Sequence, residues 1–346
     1  MMETFPELTL GNIFIFARRV ATLTFIFESI GTLILTLEFW KVGFSLDKSF
    51  YHGLFHAVSA FCNAGFSSFR WSLSAFKGDA IVNLTVVTLF VSGGLGFIVW
   101  DDLYGHFIKK RSKKLLFHTK TVLIITFMLL IISWIFLFLG ELGSLKNLTL
   151  GEKVLAALFQ AATPRTAGFS TVSLSLLPPS IIFFIIVLMA IGGSPGGTAG
   201  GMKTTTVAGI IIWVKSYLTG KEAPSFLKYR IPEDSLRRAF SIFILGIITI
   251  VVSLILLSVF ENKSVIARGF LAHLFEVVSA FGTVGLSLGS KLEPYLSLSR
   301  DFSTLGKGVI ILTMFVGRVG VLTTVAFLFT RKREPIRYVE GKLIVG

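Results

Sequence analysis

The sequence predicts an all-α polytopic membrane protein. It should contain three consecutive repeats, each with an M1 helix, a pore helix and an M2 helix, placed pseudo-symmetrically around a central pore. Three observations support this fold class. Hydrophobic residues make up 53% of the 346 positions and include 35 Phe, more apolar surface than a water-soluble domain can bury. Several apolar runs are long enough to cross a bilayer. Three glycine-containing segments recur with the same order of features.

Six apolar runs are the candidate membrane spans. A helix needs about 20 apolar residues to cross a hydrocarbon core about 30 Å thick. Five runs approach this length, and the fourth is too short. We therefore expect the chain to lie in a lipid bilayer. The runs are Phe14–Trp40, Ala80–Trp100, Thr121–Leu139, Ser180–Ile191, Phe240–Phe260 and Gly308–Phe329.

The charge distribution predicts the topology. The formal net charge is +14, but the basic residues do not form the single face or tail that a nucleic-acid partner would require. They lie between the apolar runs and concentrate in 105–120, in 214–238 and after residue 330. Basic residues collect on the cytoplasmic side of membrane proteins. We therefore assign these segments and both termini to the cytoplasm, and we expect no nucleic-acid partner.

Segments 54–67, 158–170 and 274–287 resemble one another around a glycine. Their spacing divides the chain into units 1–110, 111–230 and 231–346. The charge assignment puts each segment on the outer side, and the roughly ten residues before each glycine are too few to cross the bilayer. Backbone that enters a bilayer and returns must face protein or a water-filled cavity. We therefore expect three re-entrant loops around one cavity.

The glycines of these loops predict an ion filter. Gly65, Gly168 and Gly285 can adopt positive φ and turn carbonyl oxygens toward one axis, where they replace the water shell of a weakly hydrated monovalent cation. The C-terminal ends of the pore helices would add negative potential. The alternative is that each glycine only makes a tight turn between helices. The predicted filter residues are Asn63, Ala64, Gly65, Phe66, Thr166, Ala167, Gly168, Phe169, Thr283, Val284, Gly285 and Leu286.

The second span of the middle unit contains a glycine run that no continuous helix tolerates. It differs from a phosphate-binding loop because Met202 separates Gly201 from Lys203 and because a membrane helix precedes it. We predict irregular backbone that lines the cavity and acts as a movable gate; a fixed kink is the alternative. The predicted gate residues are Gly192, Gly193, Ser194, Pro195, Gly196, Gly197, Thr198, Ala199, Gly200, Gly201 and Lys203, together with Arg318.

Arg318 lies in an otherwise apolar run, where a charge at the helix centre costs about 2.5–3.5 kcal/mol. We expect it to face the cavity, as a barrier to ions or a contact of the gate; a structural ion pair is the alternative. The five histidines lack metal-ligand spacing, and no serine or cysteine has the context of a nucleophile. We therefore predict no enzyme, no metal site and no covalently bound cofactor.

Together these motifs resemble the membrane subunit of a bacterial Ktr-type potassium uptake system, in the Trk/Ktr/HKT superfamily. The resemblance covers nearly the whole chain. It implies potassium uptake through the filter, gated by the intramembrane loop, with K⁺ as the transported ion and Na⁺ as a second ion that accompanies or stimulates transport. The residues that carry it are Ser59–Phe66, Thr166–Phe169, Phe281–Leu286, Gly192–Gly201 with Lys203–Thr205, and Arg318.

The resemblance also implies partner proteins, and the sequence departs from the family pattern in one respect. The partners are a second copy in a homodimer and a cytoplasmic ring of nucleotide-binding regulatory subunits of the RCK/KTN type, at the plasma membrane. The family builds its pore from four units, whereas this sequence shows three, which match the second, third and fourth. We expect that the first unit has been lost by truncation. The alternative is a nonconducting subunit that associates with or regulates an intact homologue.

Overall fold

The computed structural model describes residues 10–110, 114–141, 148–221, 223–291, 293 and 295–328. The first nine residues and the basic segment after residue 330, both assigned to the cytoplasm above, lie outside this part. The described chain is mostly helical, which confirms the all-α fold class. Its helices are α1 Leu10–Lys41, α2 Leu46–Phe61, α3 Ala80–Leu95, α4 Phe97–Leu103, α5 Phe117–Glu141, α6 Leu150–Ala162, α7 Pro179–Ala190, α8 Thr204–Leu218, α9 Glu233–Phe260, α10 Asn262–Arg268, α11 Phe270–Gly282, α12 Thr304–Val319 and α13 Val321–Leu328.

The first helix of each unit is a full membrane span. Helices α1, α5 and α9 contain 32, 25 and 28 residues, and a helix rises about 1.5 Å per residue. These three helices are long and apolar enough to cross a bilayer, and two bent helix pairs could add two more spans. Large apolar side chains such as Phe25 and Phe127 are 72% and 65% exposed, as expected for a surface in contact with lipid. The chain is a multi-pass membrane protein.

The pore helices α2, α6 and α11 are short and lead directly into the glycine loops. They contain 16, 13 and 13 residues. Helix α6 starts with a capping box, in which the Thr149 amide donates to Glu152 Oε2 (2.8 Å) and the Glu152 amide donates to Thr149 Oγ1 (3.4 Å). Helix α11 follows α10 after a bend of 113°. Each of these helices therefore ends where a glycine loop begins.

The second helix of every unit is broken, whereas the sequence indicated a break only in the middle unit. The run Ala80–Trp100 is divided at Gly96 (φ +93°) by a bend of 96°, and the run Gly308–Phe329 is divided at Gly320 (φ +97°). Residues with side chains rarely adopt this backbone conformation, so glycine permits both breaks. In the middle unit, the segment 191–203 separates α7 from α8.

The core lies between the units. One apolar cluster joins Ala57 and Ala60 of α2 to Phe159 of α6, and a second joins Ala161 of α6 to Phe275 of α11. The units thus share cores and do not pack as separate domains. The described strands, β1 Ser225–Phe226 and β2 Tyr229–Arg230, form one antiparallel hairpin with Ser225 opposite Arg230 and Phe226 opposite Tyr229. The Phe117 and Tyr229 rings, 4.9 Å apart, bring this hairpin to the start of α5.

Candidate ion filter and gate

The three glycine loops share an unusual backbone. Gly65, Gly168 and Gly285 have φ of +73°, +81° and +88°, the positive values predicted from the sequence. In every loop, the residue two positions before the glycine also has a left-handed backbone conformation. The sequence analysis missed this feature because the three positions share no residue type that would indicate it. These residues are Asn63, Thr166 and Thr283, with φ of +51°, +70° and +50°. Positive φ is uncommon outside glycine and is a strained backbone conformation, especially for threonine, which is β-branched.

Neighbouring loops touch each other at their glycines. An added Cβ at Gly65 would lie 2.6 Å from the carbonyl oxygen of Ala167 and 2.8 Å from Cα of Gly168. An added Cβ at Gly168 would overlap the carbonyl oxygen of Val284. Carbonyl groups of adjacent loops therefore lie close together where the glycines meet.

The third junction, between the last loop and the first, is open. Among the residues that the structure describes, an added Cβ at Gly285 would meet only Cα of Gly168, at 3.9 Å. The residues that follow the glycines show the same asymmetry. Phe169 is 0% exposed in the cluster that contains α2, and Leu286 is 3% exposed in the cluster that contains α6, but Phe66 is 71% exposed. Each of the two buried residues packs on the preceding unit, and Phe66 has no such neighbour in the part of the chain that the structure describes.

Pore-helix hydroxyls hold the backbone of all three loops. Each hydroxyl donates to the carbonyl oxygen of the residue that follows the glycine. The bonds are Ser59 to Phe66 (2.7 Å), Thr163 to Phe169 (2.6 Å) and Ser279 to Leu286 (2.6 Å). Because the same bond occurs three times with the same geometry, it is part of the repeat itself. We call these residues the hydroxyl braces.

A second contact joins each pore helix to the serine two positions after the glycine. His56, Gln160 and Glu276 occupy this place, and all three are buried. They contact Ser67 (2.9 Å), Ser170 (3.2 Å) and Ser287 (2.7 Å). The sequence aligns these positions, but their chemistry differs among the units, so the contact could not be recognised before the structure.

The glycine run of the middle unit lies against the break between α3 and α4. The amides of Ser194 and Thr198 donate to the carbonyl oxygens of Gly94 (2.8 Å) and Gly93 (3.1 Å), and the Phe97 amide donates to that of Gly196 (3.1 Å). These bonds satisfy backbone groups that a broken helix would leave unpaired at membrane depth. The predicted gate thus packs against irregular backbone of another unit.

Thr198 connects the gate to the first filter loop. Its Oγ1 accepts a hydrogen bond from Asn63 Nδ2 (2.7 Å) and donates to the carbonyl oxygen of Phe61 (3.1 Å). Its own carbonyl oxygen accepts a hydrogen bond from Arg318 Nη1 (2.5 Å). Arg318 forms no ion pair within the described residues, which leaves the alternative of a structural ion pair without support. Lys203 donates to the carbonyl oxygen of Ala199 (2.6 Å).

Arg165 is a buried charge that the sequence analysis did not single out. It lies in the second filter loop and is 8% exposed. Its Nη2 donates to Thr126 Oγ1 at 3.3 Å, and its Nε has no hydrogen-bond partner among the residues described. The sequence could have indicated this residue, because a guanidinium is rare in an apolar pore loop. Within the same part of the chain, no three His, Cys, Asp or Glu side chains converge on a metal site.

Comparisons with known proteins identify the family of the chain. A family model described as TrkH, a cation transport protein, matches residues 9–334. The Ktr system potassium uptake protein B of Bacillus subtilis is 33% identical to the chain, with 100% of this chain and 75% of that protein covered. The potassium/sodium uptake protein NtpJ of Enterococcus hirae is 34% identical, with 93% and 69% covered.

A solved structure shows the same fold. The chain resembles the crystal structure of the potassium transporter TrkH from Vibrio parahaemolyticus with a TM-score of 0.73 and 20% identity. The match covers 91% of this chain and 64% of that one, so the chain spans slightly less than two thirds of the solved protein.

Proposed function

The chain belongs to the TrkH family of cation transport proteins, a family of transporters and not of enzymes, and from this premise we propose that it carries potassium into the cell through a carbonyl-lined filter. The observation that supports this most is the pair of left-handed residues in each loop, together with the close approach of the glycines. Carbonyl oxygens suit a weakly hydrated monovalent cation, since they replace its water shell. Potassium is the principal ion in this proposal, and sodium is the second.

We further propose that Gly192–Gly201, Lys203 and Arg318 form the gate. The loop is held to the first and third units by several individual hydrogen bonds, which involve its backbone and the Thr198 side chain. Such bonds are individually worth about 0.5–1.5 kcal/mol, so a few of them can hold a loop that still moves. Removal of 192–201 is expected to raise basal cation flux, and a correctly folded deletion variant without that rise would overturn the gate assignment.

The proposal also includes the orientation of the chain in the membrane and its partner proteins. We place the chain in the plasma membrane with both termini in the cytoplasm, because the basic segments 105–120 and 214–238 then lie inside. A homodimer that docks a cytoplasmic nucleotide-binding ring on these basic segments is the proposed assembly. Crosslinking in native membranes tests both partners.

Selectivity is the direct test of the filter. Gly285 suits substitution because an added Cβ has space there, so Gly285→Ser strains the backbone without a steric clash. Gly151→Ser is the matched control, since Gly151 has no atom within 4 Å of an added Cβ. In proteoliposomes, Gly285→Ser is expected to lower the ratio of rubidium to sodium uptake at least tenfold. An unchanged ratio would overturn the filter assignment.

The open third junction favours a second candidate function. A chain whose filter is closed on only two sides, with Phe66 exposed, could serve as a nonconducting subunit that associates with or regulates an intact homologue. Copurification with a complete relative, with flux only from the mixture, would support this function. Rubidium uptake by the chain alone would exclude it.

A further inference from the structure

A groove of about 410 Å³ runs between α5 and α8, and none of its lining residues belongs to the proposed filter or gate. Its walls are apolar side chains, including Ile125, Met128 and Ile132 of α5 and Ile211 of α8. Met128 and Ile211 are 54% and 61% exposed, so the groove opens sideways toward the bilayer. A concave apolar site of this volume is in the range that holds a small molecule.

The groove is polar at one end only. Lys215 and Lys221 line that end, which is the end assigned to the cytoplasm by the basic segment 214–238. Lys215 follows Ile211 by one helical turn on the same face of α8, so its charge continues the apolar wall. Both lysines are exposed, and neither forms an ion pair within the part of the chain that is described.

Aromatic residues mark the depth of this end in the bilayer. Trp213 and Tyr217 of α8 stack with ring centroids 5.8 Å apart. Trp and Tyr concentrate at the level of lipid headgroups. The two lysines at the groove end therefore lie at headgroup depth, while the apolar wall extends toward the acyl chains.

The positive charge at the groove end distinguishes between two candidate occupants, a second copy of the chain and a phospholipid. A second copy of the chain related by a two-fold axis would bring the same patch, with the same lysines, against itself, and like charges oppose that contact. An anionic phospholipid has the opposite sign at the headgroup and an apolar chain for the wall. We propose that this groove binds an anionic phospholipid, with its phosphate at Lys215 and Lys221 and an acyl chain between α5 and α8.

Because of the position of the groove, a bound lipid would contact the broken helix of the middle unit. Ile191 and Val207 line the groove, and they lie on either side of the glycine run. The Gly192 amide donates to the carbonyl oxygen of Met202 at 2.8 Å, which closes the base of that run. A bound acyl chain would therefore contact Ile191, directly before the run, and Val207, in the first turn of α8 after it.

Native mass spectrometry of the purified full-length chain tests the proposal independently of transport. The probes are phosphatidylglycerol and the zwitterionic phosphatidylcholine with the same acyl chains. The wild type should retain phosphatidylglycerol preferentially. At about 1 kcal/mol per lysine, affinity should fall about 5-fold in Lys215→Gln and about 30-fold in the double variant with Lys221→Gln. Lys109→Gln with Lys110→Gln removes the same charge away from the groove and should leave binding unchanged.

A variant with a filled groove distinguishes binding of the acyl chain from attraction of the lipid by surface charge. Ile211→Trp keeps both lysines and should also abolish retention of phosphatidylglycerol. Equal retention of the two lipids, equal losses in the two double-lysine variants, or full retention in a monodisperse Ile211→Trp variant would each overturn the proposal. Crosslinking between two copies through position 211 would assign the groove to a protein contact instead and overturn it as well.

Discussion

The side-chain amide of Asn63 donates a 2.7 Å hydrogen bond to the hydroxyl oxygen of Thr198, 135 residues further along the chain. Asn63 is 3% exposed and has φ of +51°, so the bond begins at a strained residue of the first filter loop. It ends in the loop proposed as the gate. Filter and gate are therefore in direct contact, and a movement of one must break or remake this bond.

Thr198→Val is expected to open the proposed gate. The substitution conserves shape but leaves the buried Asn63 amide without this partner, at a cost of about 1–3 kcal/mol. That cost destabilises the observed position of the gate loop relative to its other positions. Basal rubidium uptake into proteoliposomes should therefore rise. Thr198→Ser keeps the hydroxyl and is the control. Equal uptake by the Val and Ser variants would contradict the expected coupling.

Arg318→Gln should also raise basal flux. The guanidinium donates to the carbonyl oxygen of Thr198 at 2.5 Å and places a positive charge at the loop proposed as the gate. A charge-assisted hydrogen bond contributes about 1.5–3 kcal/mol, so uptake should rise about tenfold or more. Arg318→Lys retains the charge and should give an intermediate value. A decrease in flux with Arg318→Gln, in protein that elutes as a single species, would refute a barrier role.

The hydroxyl brace of the third loop should control selectivity more than stability. Ser279→Ala removes the 2.6 Å bond to the Leu286 carbonyl oxygen, which costs about 1 kcal/mol of stability and frees a filter carbonyl to rotate. The ratio of rubidium to sodium uptake should fall, while the melting temperature changes by a few degrees. Ser175→Ala, at an exposed serine outside the filter, is the control. A normal ratio would show that the brace is dispensable.

Arg165→Met should leave the fold equally stable or make it more stable. The guanidinium is buried with one hydrogen bond and an unsatisfied Nε, and replacement of poorly compensated buried charges by apolar residues is neutral or stabilising by about 1–4 kcal/mol. Thermal unfolding in detergent measures the change. A loss of several kcal/mol would reveal a counter-charge from a partner or from outside the described residues.

The ion pair between Arg70 and Glu293 should make stability depend on pH. It joins the segments that follow the first and third filter loops. The hydrogen bond from Arg70 lowers the pKa of Glu293 below its usual 4.5. A carboxyl whose pKa is lowered by folding stabilises the folded state above its unfolded pKa, and this contribution is lost as pH falls through the folded pKa.

The difference in melting temperature between the wild type and Glu293→Gln should therefore be present at neutral pH and should be lost only as pH falls below 4.5 and through the lower pKa of Glu293 in the folded protein. Arg70→Gln should show the same dependence, and the double variant should add little to either single change. A difference that is constant from neutral to acid pH would mean that the pair makes no contribution through charge.

Several features followed from the sequence alone. The membrane class, the three glycine loops, their positive φ and the broken helix of the middle unit are consequences of local composition, because apolar length and glycine act on the backbone wherever they occur. The placement of Arg318 beside the glycine run was also expected, since a charge in an apolar span needs a polar partner.

Only the tertiary structure decided which polar groups meet. The contact between Asn63 and Thr198 and the bonds between the glycine run and the break at Gly96 join residues far apart in sequence, and the open junction beside Phe66 depends on a neighbouring unit. The hydroxyl braces join residues six or seven positions apart, but their geometry depends on the folded loop. A hydrogen bond forms within a few tenths of an ångström of one distance, and no residue pattern encodes that distance. Residue types therefore determined the membrane class and the loops, while the packing of the units determined how filter and gate are held together.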